Sequence, residues 1–357
     1  MKLYSCSKCQ SLLYFENTVC LNCSSAVGFN AAKLSMVTLA PANDKEFLDI
    51  KNNKELWRFC DNAAYASCNW LIPASQAGGF CIACNLNRTI PSLNKTENLD
   101  RWRRIEVAKH RLVYSLLRLN LPVPAKEGEE ETGIAFYFMA DTDPDPKKKV
   151  MTGHDNGTIT INIEEADEKL RVKHKLDLGE KYRTLLGHFR HEIGHYYWDV
   201  FFKTDKAAVE NFRKFFGDDA IDYGEALEKY YESGAPANWN DSFISPYATA
   251  HAWEDWAESW AHYLHLMDTL ETAYSFGIAV DPRTASDEHE MHARISRDPY
   301  SIKNFDEIVK MWLPLTFAVN SLNRSMGHQD FYPFIISATV IKKLQFIHEQ
   351  VKKAVSQ

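Results

Sequence analysis

The spacing of hydrophobic residues changes twice along the chain, near residue 99 and near residue 179. From Leu99 to Leu116, apolar residues recur every three to four positions, which predicts a helix. The segments Ile134 to Met139 and Thr158 to Ile163 are rich in β-favouring residues and predict two strands. Asp155-Asn156-Gly157 predicts a turn directly before the second strand. A small sheet therefore follows the first long helix.

Beyond residue 179 the helical spacing dominates. The predicted helices are Glu180 to Phe202, Ala207 to Phe216, Glu225 to Glu232, Trp253 to Leu270, Phe305 to Leu322 and Ala338 to Val355. Pro314 predicts a break in the fifth helix, because proline has no N–H and its ring clashes with the preceding turn. The apolar positions of the first helix that should face a core are Leu186, Phe189, Ile193, Tyr196 and Val200. This part of the chain is predicted to be α+β, mainly helical with one small sheet.

The cysteines divide the chain chemically, since all eight lie before residue 85. Short strand-like pieces such as Ser11 to Phe15 lie between them, and the Pro/Asn-rich stretch Thr89 to Asn98 is typical of a linker. We therefore predict two domains, a cysteine-rich zinc module over residues 1–95 and a second domain over residues 96–357.

Two cysteine pairs have the spacing of a zinc ribbon. Cys6-x2-Cys9 and Cys20-x2-Cys23 are separated by ten residues, so four thiolates can close one tetrahedral site. Cys60, Cys68, Cys81 and Cys84 are spaced less regularly and are predicted to close a second structural zinc site. The alternative is that Cys60 or Cys68 is only a small buried apolar residue.

Composition narrows the possible classes of function. Hydrophobic residues make up 45% of the chain and charged residues 25%, as in a folded globular protein, and the net charge of -7 argues against general nucleic-acid binding. The N-terminal sequence MKLYSCSKCQ does not have the pattern of a secretion signal, and no stretch of 18 apolar residues predicts a membrane span. We expect a cytoplasmic protein, in which cysteines are metal ligands rather than disulfides.

The sequence His191-Glu192-Ile193-Gly194-His195 is a candidate catalytic motif. Histidines four residues apart lie on the same face of a helix and can bind one zinc ion, while Glu192 is placed to act as general base toward a water. His188 lies one turn earlier and could pair with either histidine instead. Only His191 is followed directly by an acid, which favours the His191/His195 pair.

A catalytic zinc needs a third protein ligand, and the segment Trp253 to Leu264 offers one. Its tryptophans and alanines form one apolar stripe, whereas Glu254 and Glu258 share another face. Glu254 is predicted to be the third ligand, and Glu258 to accept the outer N–H of a ligand histidine. His262 and His265 are rival third ligands, and a solvated acidic face is the structural alternative.

These features together resemble a known family. The HEIGH motif, followed after 59 residues by Glu254-Asp255-Trp256-Ala257-Glu258, resembles the gluzincin clan of metallopeptidases. Over nearly its full length the chain is similar to a family of bacterial zinc-binding metallopeptidases with an N-terminal zinc ribbon. The segments that carry this resemblance are Tyr14 to Asn17, Thr152 to His154, Ile159 to Ala166, His191 to Trp198, Trp253 to Leu266, Asp268 to Ala273 and Leu322 to Gly327.

The resemblance implies further roles. Tyr247, seven residues before Glu254, corresponds to a tyrosine that faces the scissile carbonyl and stabilises the oxyanion. The strand Thr158 to Ile163 is a candidate edge for an extended peptide, with His154 at its rim or simply in the turn. Arg324 is a candidate partner for a substrate carboxylate, with a surface ion pair as the alternative.

The sequence thus predicts a zinc peptidase that binds one catalytic and two structural zinc ions. Its expected partner is a peptide or protein substrate, and binding to nucleic acid or to a membrane is not expected. The sequence pattern does not indicate an oligomeric state. The competing hypothesis is a zinc-ribbon binding module whose peptidase-like domain is a sensor or scaffold. The presence of Glu192 favours the enzyme, because a scaffold needs metal ligands but no base.

Overall fold

The chain forms two compact units, Met1–Lys173 and His174–Gln357. The cysteine pairs and short apolar runs lie in the first unit, and most of the long amphipathic segments lie in the second. The structure is a computed structural model, and it describes residues 1–128, 132–141, 150–168, 184–283 and 291–355. Each unit is described by itself. Among these described residues, none of the helices combines the length and apolar character needed to span a membrane.

The N-terminal unit begins with two small β-structures. A hairpin pairs β1 (Tyr4–Ser5) with β2 (Leu12–Leu13), and β2 lies within the predicted strand-like piece Ser11 to Phe15. Five further strands form an antiparallel sheet in chain order: β3 (Ala26–Asn30), β4 (Ser35–Pro41), β5 (Phe47–Asp49), β6 (Leu56–Phe59) and β7 (Leu71–Pro73). Val37, Leu39, Trp57 and Leu71 form a buried core on this sheet. The sequence predicted short strands here but not their assembly into one sheet.

A second sheet and a long helix complete this unit. The sheet order is β10-β11-β9-β8, with β8 (Asn87–Thr89), β9 (Ala135–Met139), β10 (Gly153–Asp155) and β11 (Thr158–Asn162). The predicted turn is present, with positive φ at Asn156 and Gly157, and helix α1 (Thr96–Arg118) covers the predicted helix. Because β8 ends at Thr89, where the predicted linker begins, and pairs with β9 beyond it, one sheet includes strands from both sides of that linker. The domain boundary at residue 95 stays a prediction.

The C-terminal unit is mainly helical. Its longer helices in the described ranges are α2 (Leu185–Phe202), α3 (Lys206–Phe216), α4 (Tyr223–Ser233), α5 (Ala252–Phe276), α6 (Phe305–Ser325) and α7 (Ala338–Val355). A short hairpin pairs β12 (Ala279–Val280) with β13 (Ala293–Arg294). The six predicted helices are confirmed in place, although residues 180–183 of the first lie outside the described residues.

Two details of the helix predictions are wrong. Helix α6 continues through Pro314, because Trp312 and Leu315 are buried on either side of it and hold the helix despite the missing N–H. Val200 was predicted to face the core but is 42% exposed. It lies in the last turn of α2, where Phe201 and Phe202 rather than Val200 contact Trp256 of α5.

Helices α2 and α5 pack closely at Gly194. A Cβ atom at this position would lie 3.1 Å from the Cα of Ala257 and 3.2 Å from Cδ1 of Trp260. The indole N–H of Trp256 donates to the Gly194 carbonyl at 2.8 Å. Trp256 and Trp260 are fully buried between the helices. This contact sets the distance between the two helices that carry the candidate site.

Candidate active site and metal centres

Helix α2 places three functional side chains on the face that meets α5. The hydroxyl of Thr184 accepts the Gly187 N–H at 2.9 Å and caps the helix N-terminus, so the turns that follow are regular. His191 and Glu192 are buried, and His195 is half-buried. The imidazole rings of His191 and His195 lie 5.0 Å apart, in an edge-to-face arrangement.

Glu254 of α5 lies between the two histidines. Its Oε2 is 3.0 Å from Nε2 of His191, and its Oε1 is 3.6 Å from Nε2 of His195. One nitrogen from each histidine and one oxygen from Glu254 lie within 4.8 Å of one another. The three predicted ligands are therefore brought together, with Glu254 only 1% exposed.

The hydrogen bonds of His191 determine which ring nitrogen faces Glu254 without a proton. Its Nδ1 is 2.7 Å from Oε1 of Glu258, and Oε2 of Glu258 accepts the Ser245 hydroxyl at 2.6 Å. A carboxylate only accepts hydrogen bonds, so Nδ1 carries the proton. In the neutral ring, Nε2 then presents its lone pair to Glu254.

This arrangement fits a cation. Oε2 of Glu254 is buried and, within the described ranges, receives no hydrogen bond of normal geometry. A buried carboxylate oxygen without a donor, 3.0 Å from an imidazole lone pair, is costly unless a positive charge lies beside both. Two imidazoles and one carboxylate are a donor set suited to zinc.

The pKa values show how strongly these groups interact. Burial disfavours the charged form of Glu254, but the charges of His195 and His191 outweigh it and lower the Glu254 pKa to about 2. Burial likewise opposes protonation of His191, yet Glu254 and Glu258 hold its pKa well above the ordinary value. Without a metal, Nε2 of His191 therefore carries a proton toward Glu254, in the place of the positive charge that a zinc ion would supply. The carboxylates thus give the site a negative potential that attracts a cation.

Glu192 lies beside the ligand set and is ionised. Burial would raise its pKa, but His188, together with the charges of His191 and His195, outweighs burial and lowers it. Nε2 of His188 lies 3.1 Å from Oε1 of Glu192. His188 therefore contacts the candidate base rather than joining the group around Glu254. An ionised carboxylate here is able to accept a proton.

Tyr247 also lies at the site, in a short 3-10 helix, Tyr247–Thr249. Its ring centroid is 6.0 Å from that of His191 and 5.6 Å from that of Tyr230. Burial, followed by the charge of Glu254, raises the pKa of Tyr247, so its phenol stays neutral and is able to donate a hydrogen bond. The structure thus places this residue near the candidate ligands.

The sequence analysis missed two residues that contact the carboxylates. The Tyr223 hydroxyl donates to Oε1 of Glu254 at 2.6 Å, and Ser245 binds Glu258 as described above. Tyr223 precedes Glu254 by 31 residues on a separate helix. No spacing rule relates two such positions, so the sequence held no indication of this contact.

The rival ligands lie elsewhere in the same unit. Nδ1 of His262 is 2.7 Å from the Tyr332 hydroxyl, and Nδ1 of His265 is 2.6 Å from the Arg190 guanidinium. Neither histidine belongs to the group around Glu254. Their ring nitrogens serve a buried hydrogen-bond network on the next turns of α5.

The two weak substrate-binding candidates have other partners. Nε2 of His154, in the N-terminal unit, accepts the Gly157 N–H at 2.8 Å and so stabilises its turn. Arg324, exposed near the end of α6, pairs with Asp330 at 2.6 Å. Neither contact involves the candidate site, and the substrate roles of both residues stay predictions.

The first cysteine set forms a compact cluster in the N-terminal unit. The four sulfur atoms of Cys6, Cys9, Cys20 and Cys23 lie within 4.8 Å of one another. Gln10 and Ser24, which directly follow the second cysteine of each pair, both have left-handed backbone conformations, with φ of 61° and 57°. The two pairs therefore form matching tight turns around one tetrahedral position.

The second cysteine set is equally compact and completely buried. The sulfur atoms of Cys60, Cys68, Cys81 and Cys84 lie within 4.8 Å of one another, so Cys60 and Cys68 belong to the cluster rather than to an apolar core. Backbone N–H groups are directed at three of these sulfurs: Cys81 N to Cys60, Trp70 N to Cys68 and Cys84 N to Cys81, at 3.3–3.4 Å. Such donors favour thiolates.

Helix α1 adds charged side chains to this second cluster. Nε2 of His110 lies 3.2 Å from the sulfur of Cys68 and 3.6 Å from that of Cys84. Beside it, Lys109 and Glu106 form a fully buried ion pair at 2.9 Å. Cys84, Glu106 and His110 also lie close enough together to bind an ion. The Lys109 ammonium already neutralises Glu106, however, so this carboxylate needs no metal.

Comparison with known proteins assigns the chain to a family. Residues 98–350 match a family model described as "Putative zinc-binding metallo-peptidase", and residues 3–95 match one described as a zinc-ribbon domain. The chain belongs to this metallopeptidase family and carries an N-terminal zinc-ribbon domain.

Relatives extend over nearly the whole chain. Uncharacterized proteins of Mycobacterium bovis and of two Mycobacterium tuberculosis strains are each 40% identical over 351 residues, which is 98% of this chain and 95% of theirs. No solved structure shows significant similarity to the chain.

Proposed function

We propose that the protein is a zinc-dependent peptidase of the gluzincin type, with His191, His195 and Glu254 as the ligands of the catalytic ion. The observation that carries this proposal is the buried Oε2 of Glu254, which receives no hydrogen bond of normal geometry in the described part of the chain and lies 3.0 Å from Nε2 of His191. Membership of a metallopeptidase family supports the same assignment.

Each residue near the ligands has a role in this proposal. When bound, zinc supplies Lewis acidity that polarises a peptide carbonyl and acidifies a water. Glu192 accepts a proton from the attacking water and passes it to the leaving amine. Glu258 fixes the orientation of His191 through Nδ1, and Ser245 in turn holds Glu258.

Tyr247 is proposed to stabilise the oxyanion. Its ring lies 6.0 Å from that of His191, and its neutral phenol would donate a hydrogen bond to the oxyanion. His188 keeps Glu192 ionised and in place through their 3.1 Å contact. These groups provide the base, the metal ligands and the oxyanion donor that peptide hydrolysis requires.

The two cysteine clusters are proposed to hold one structural zinc ion each. Both are closed sets of four sulfurs, and the family name of the zinc-ribbon domain supports zinc at such a site. The substrate is proposed to be a peptide or protein. A scaffold function is not favoured by the structure, because a scaffold has no use for an ionised buried acid beside the ligands.

The test compares the zinc-loaded protein with its Glu192→Gln variant on a mixed peptide library, followed by mass spectrometry. The substituted amide keeps the size of the side chain but cannot accept the proton, so we expect cleavage to fall by about 100-fold or more while zinc stays bound. Glu349→Gln, which changes an exposed glutamate of α7, is the matched control and should cleave normally. Equal cleavage by both variants, or none by the unmodified protein, would overturn the proposal.

A further inference from the structure

Helix α4 is unusual because it has no fully buried side chain, yet its first residue contacts the candidate metal site. The Tyr223 ring is 36% exposed, whereas Glu254, which receives its hydroxyl at 2.6 Å, is 1% exposed. Core packing therefore does not explain this tyrosine. Its polar contact is directed at one carboxylate oxygen.

Neighbouring residues hold the segment that leads into α4. Nε2 of His251 is 3.1 Å from the Ile221 carbonyl, and Nδ1 of His251 accepts the Trp253 N–H at 3.1 Å. Because Nδ1 accepts, Nε2 carries the proton and donates to Ile221. The His251 ring also packs edge-to-face on Tyr223, with centroids 5.3 Å apart. One histidine thus caps the start of α5, directly before Glu254, through the Trp253 N–H and also packs on Tyr223.

We propose that Tyr223 is a positioning residue for the catalytic metal, which holds Oε1 of Glu254 so that Oε2 alone faces the ion. This inference rests on the zinc site proposed above. A carboxylate with one oxygen committed to a phenol binds a metal through the other oxygen. Hydrogen bonds of this kind orient a ligand before the ion arrives and raise its affinity.

Tyr223 and Tyr247 then have different functions, although both lie at the candidate site. Tyr223 donates directly to the ligand carboxylate, whereas the described ring contacts of Tyr247 are with His191 and Tyr230. Removing the Tyr223 hydroxyl should weaken metal binding. Removing the Tyr247 hydroxyl should slow catalysis and leave metal binding intact.

The experiment measures zinc affinity in the full chain by competition with a chromophoric chelator, under conditions in which the cysteine centres keep their ions. Tyr223→Phe keeps the ring and removes only the hydroxyl, and Tyr247→Phe is the matched control. We expect about 10-fold weaker zinc binding in Tyr223→Phe, the lower end of what loss of an outer partner costs, and unchanged binding in Tyr247→Phe. The cobalt-substituted Tyr223→Phe protein should also show shifted d–d bands, since the carboxylate is free to bind through both oxygens.

Each other result is decisive. Unchanged affinity in Tyr223→Phe, or an equal loss in both variants, would overturn the role of Tyr223 while leaving the peptidase proposal intact. If the unmodified protein binds no exchangeable zinc, this inference and the proposed function fall together. Normal zinc binding without peptide cleavage would overturn only the proposed function.

Discussion

Gly194 allows the two helices of the candidate site to approach each other, and Gly194→Ala tests how much that approach matters. An added Cβ would lie 3.1 Å from the Cα of Ala257 and 3.2–3.3 Å from two atoms of Trp260. Ala257 contributes backbone and Trp260 is fully buried, so neither neighbour moves away freely. The methyl group must push α2 and α5 apart by a few tenths of an ångström.

Two opposing terms set the size of the effect. Replacing glycine by alanine inside a helix stabilises it by about 1 kcal/mol. Overpacking a filled core costs about 1–3 kcal/mol. We therefore expect the free energy of unfolding to fall by about 0–2 kcal/mol. Because His191 and His195 lie on one helix and Glu254 on the other, we also expect weaker zinc binding.

The free energy of unfolding is measured by urea denaturation of the protein after its catalytic zinc has been removed. Zinc affinity is measured separately by competition with a chelator. Gly224→Ala is the control, since a Cβ at Gly224 would meet only Asp222 Oδ1, at an ordinary 3.4 Å. We expect that control to gain up to about 1 kcal/mol, as helix propensity predicts. A similar gain in Gly194→Ala, with unchanged zinc affinity, would refute the idea that this contact sets the spacing of the site.

Two further predictions concern buried charge. Lys343 pairs with Asp255 at 2.6 Å, and burial, despite Lys343, raises the Asp255 pKa to about 7. Lys343→Met leaves the Asp255 charge buried without a partner and should lower the free energy of unfolding by about 3–5 kcal/mol, measured by denaturation at pH 8. Adding Asp255→Asn should restore part of that loss. A loss below about 1 kcal/mol in Lys343→Met would contradict the prediction. Burial lowers the His348 pKa to about 4, so the folded protein favours the neutral ring. This contribution to the free energy of unfolding is complete above pH 6.5, and up to about 3 kcal/mol of it is lost as the pH falls from 6.5 to 4. His348→Gln should flatten that part of the stability profile, and an unchanged slope would rule out His348 as its source.

The periodic helices were predictable because their pattern is local. Helix α7 was predicted with its observed ends, Ala338–Val355, and α1 within three residues at each end. The same local pattern failed at Pro314, where burial of the flanking Trp312 and Leu315 holds the helix together. It failed at Val200, because Phe202 in the same last turn is buried while Val200 is not.

Much of the candidate site was also predictable, because helical spacing fixes which side chains share a face. His191 and His195 follow from a spacing of four, and Glu254 with Glu258 from the same spacing on α5. Tyr223, Ser245 and Lys343 could not be found in this way. Each reaches its carboxylate from a separate segment, at a sequence distance that only the folded chain defines.

Anomalous diffraction from a crystal of the zinc-loaded protein, measured on either side of the zinc absorption edge, shows whether zinc binds between α2 and α5. We expect an anomalous peak about 2.0–2.2 Å from a nitrogen of His191, a nitrogen of His195 and an oxygen of Glu254. We expect one further peak within each cysteine cluster. Peaks in the cysteine clusters alone, with none between α2 and α5 at full zinc loading, would contradict a catalytic zinc site.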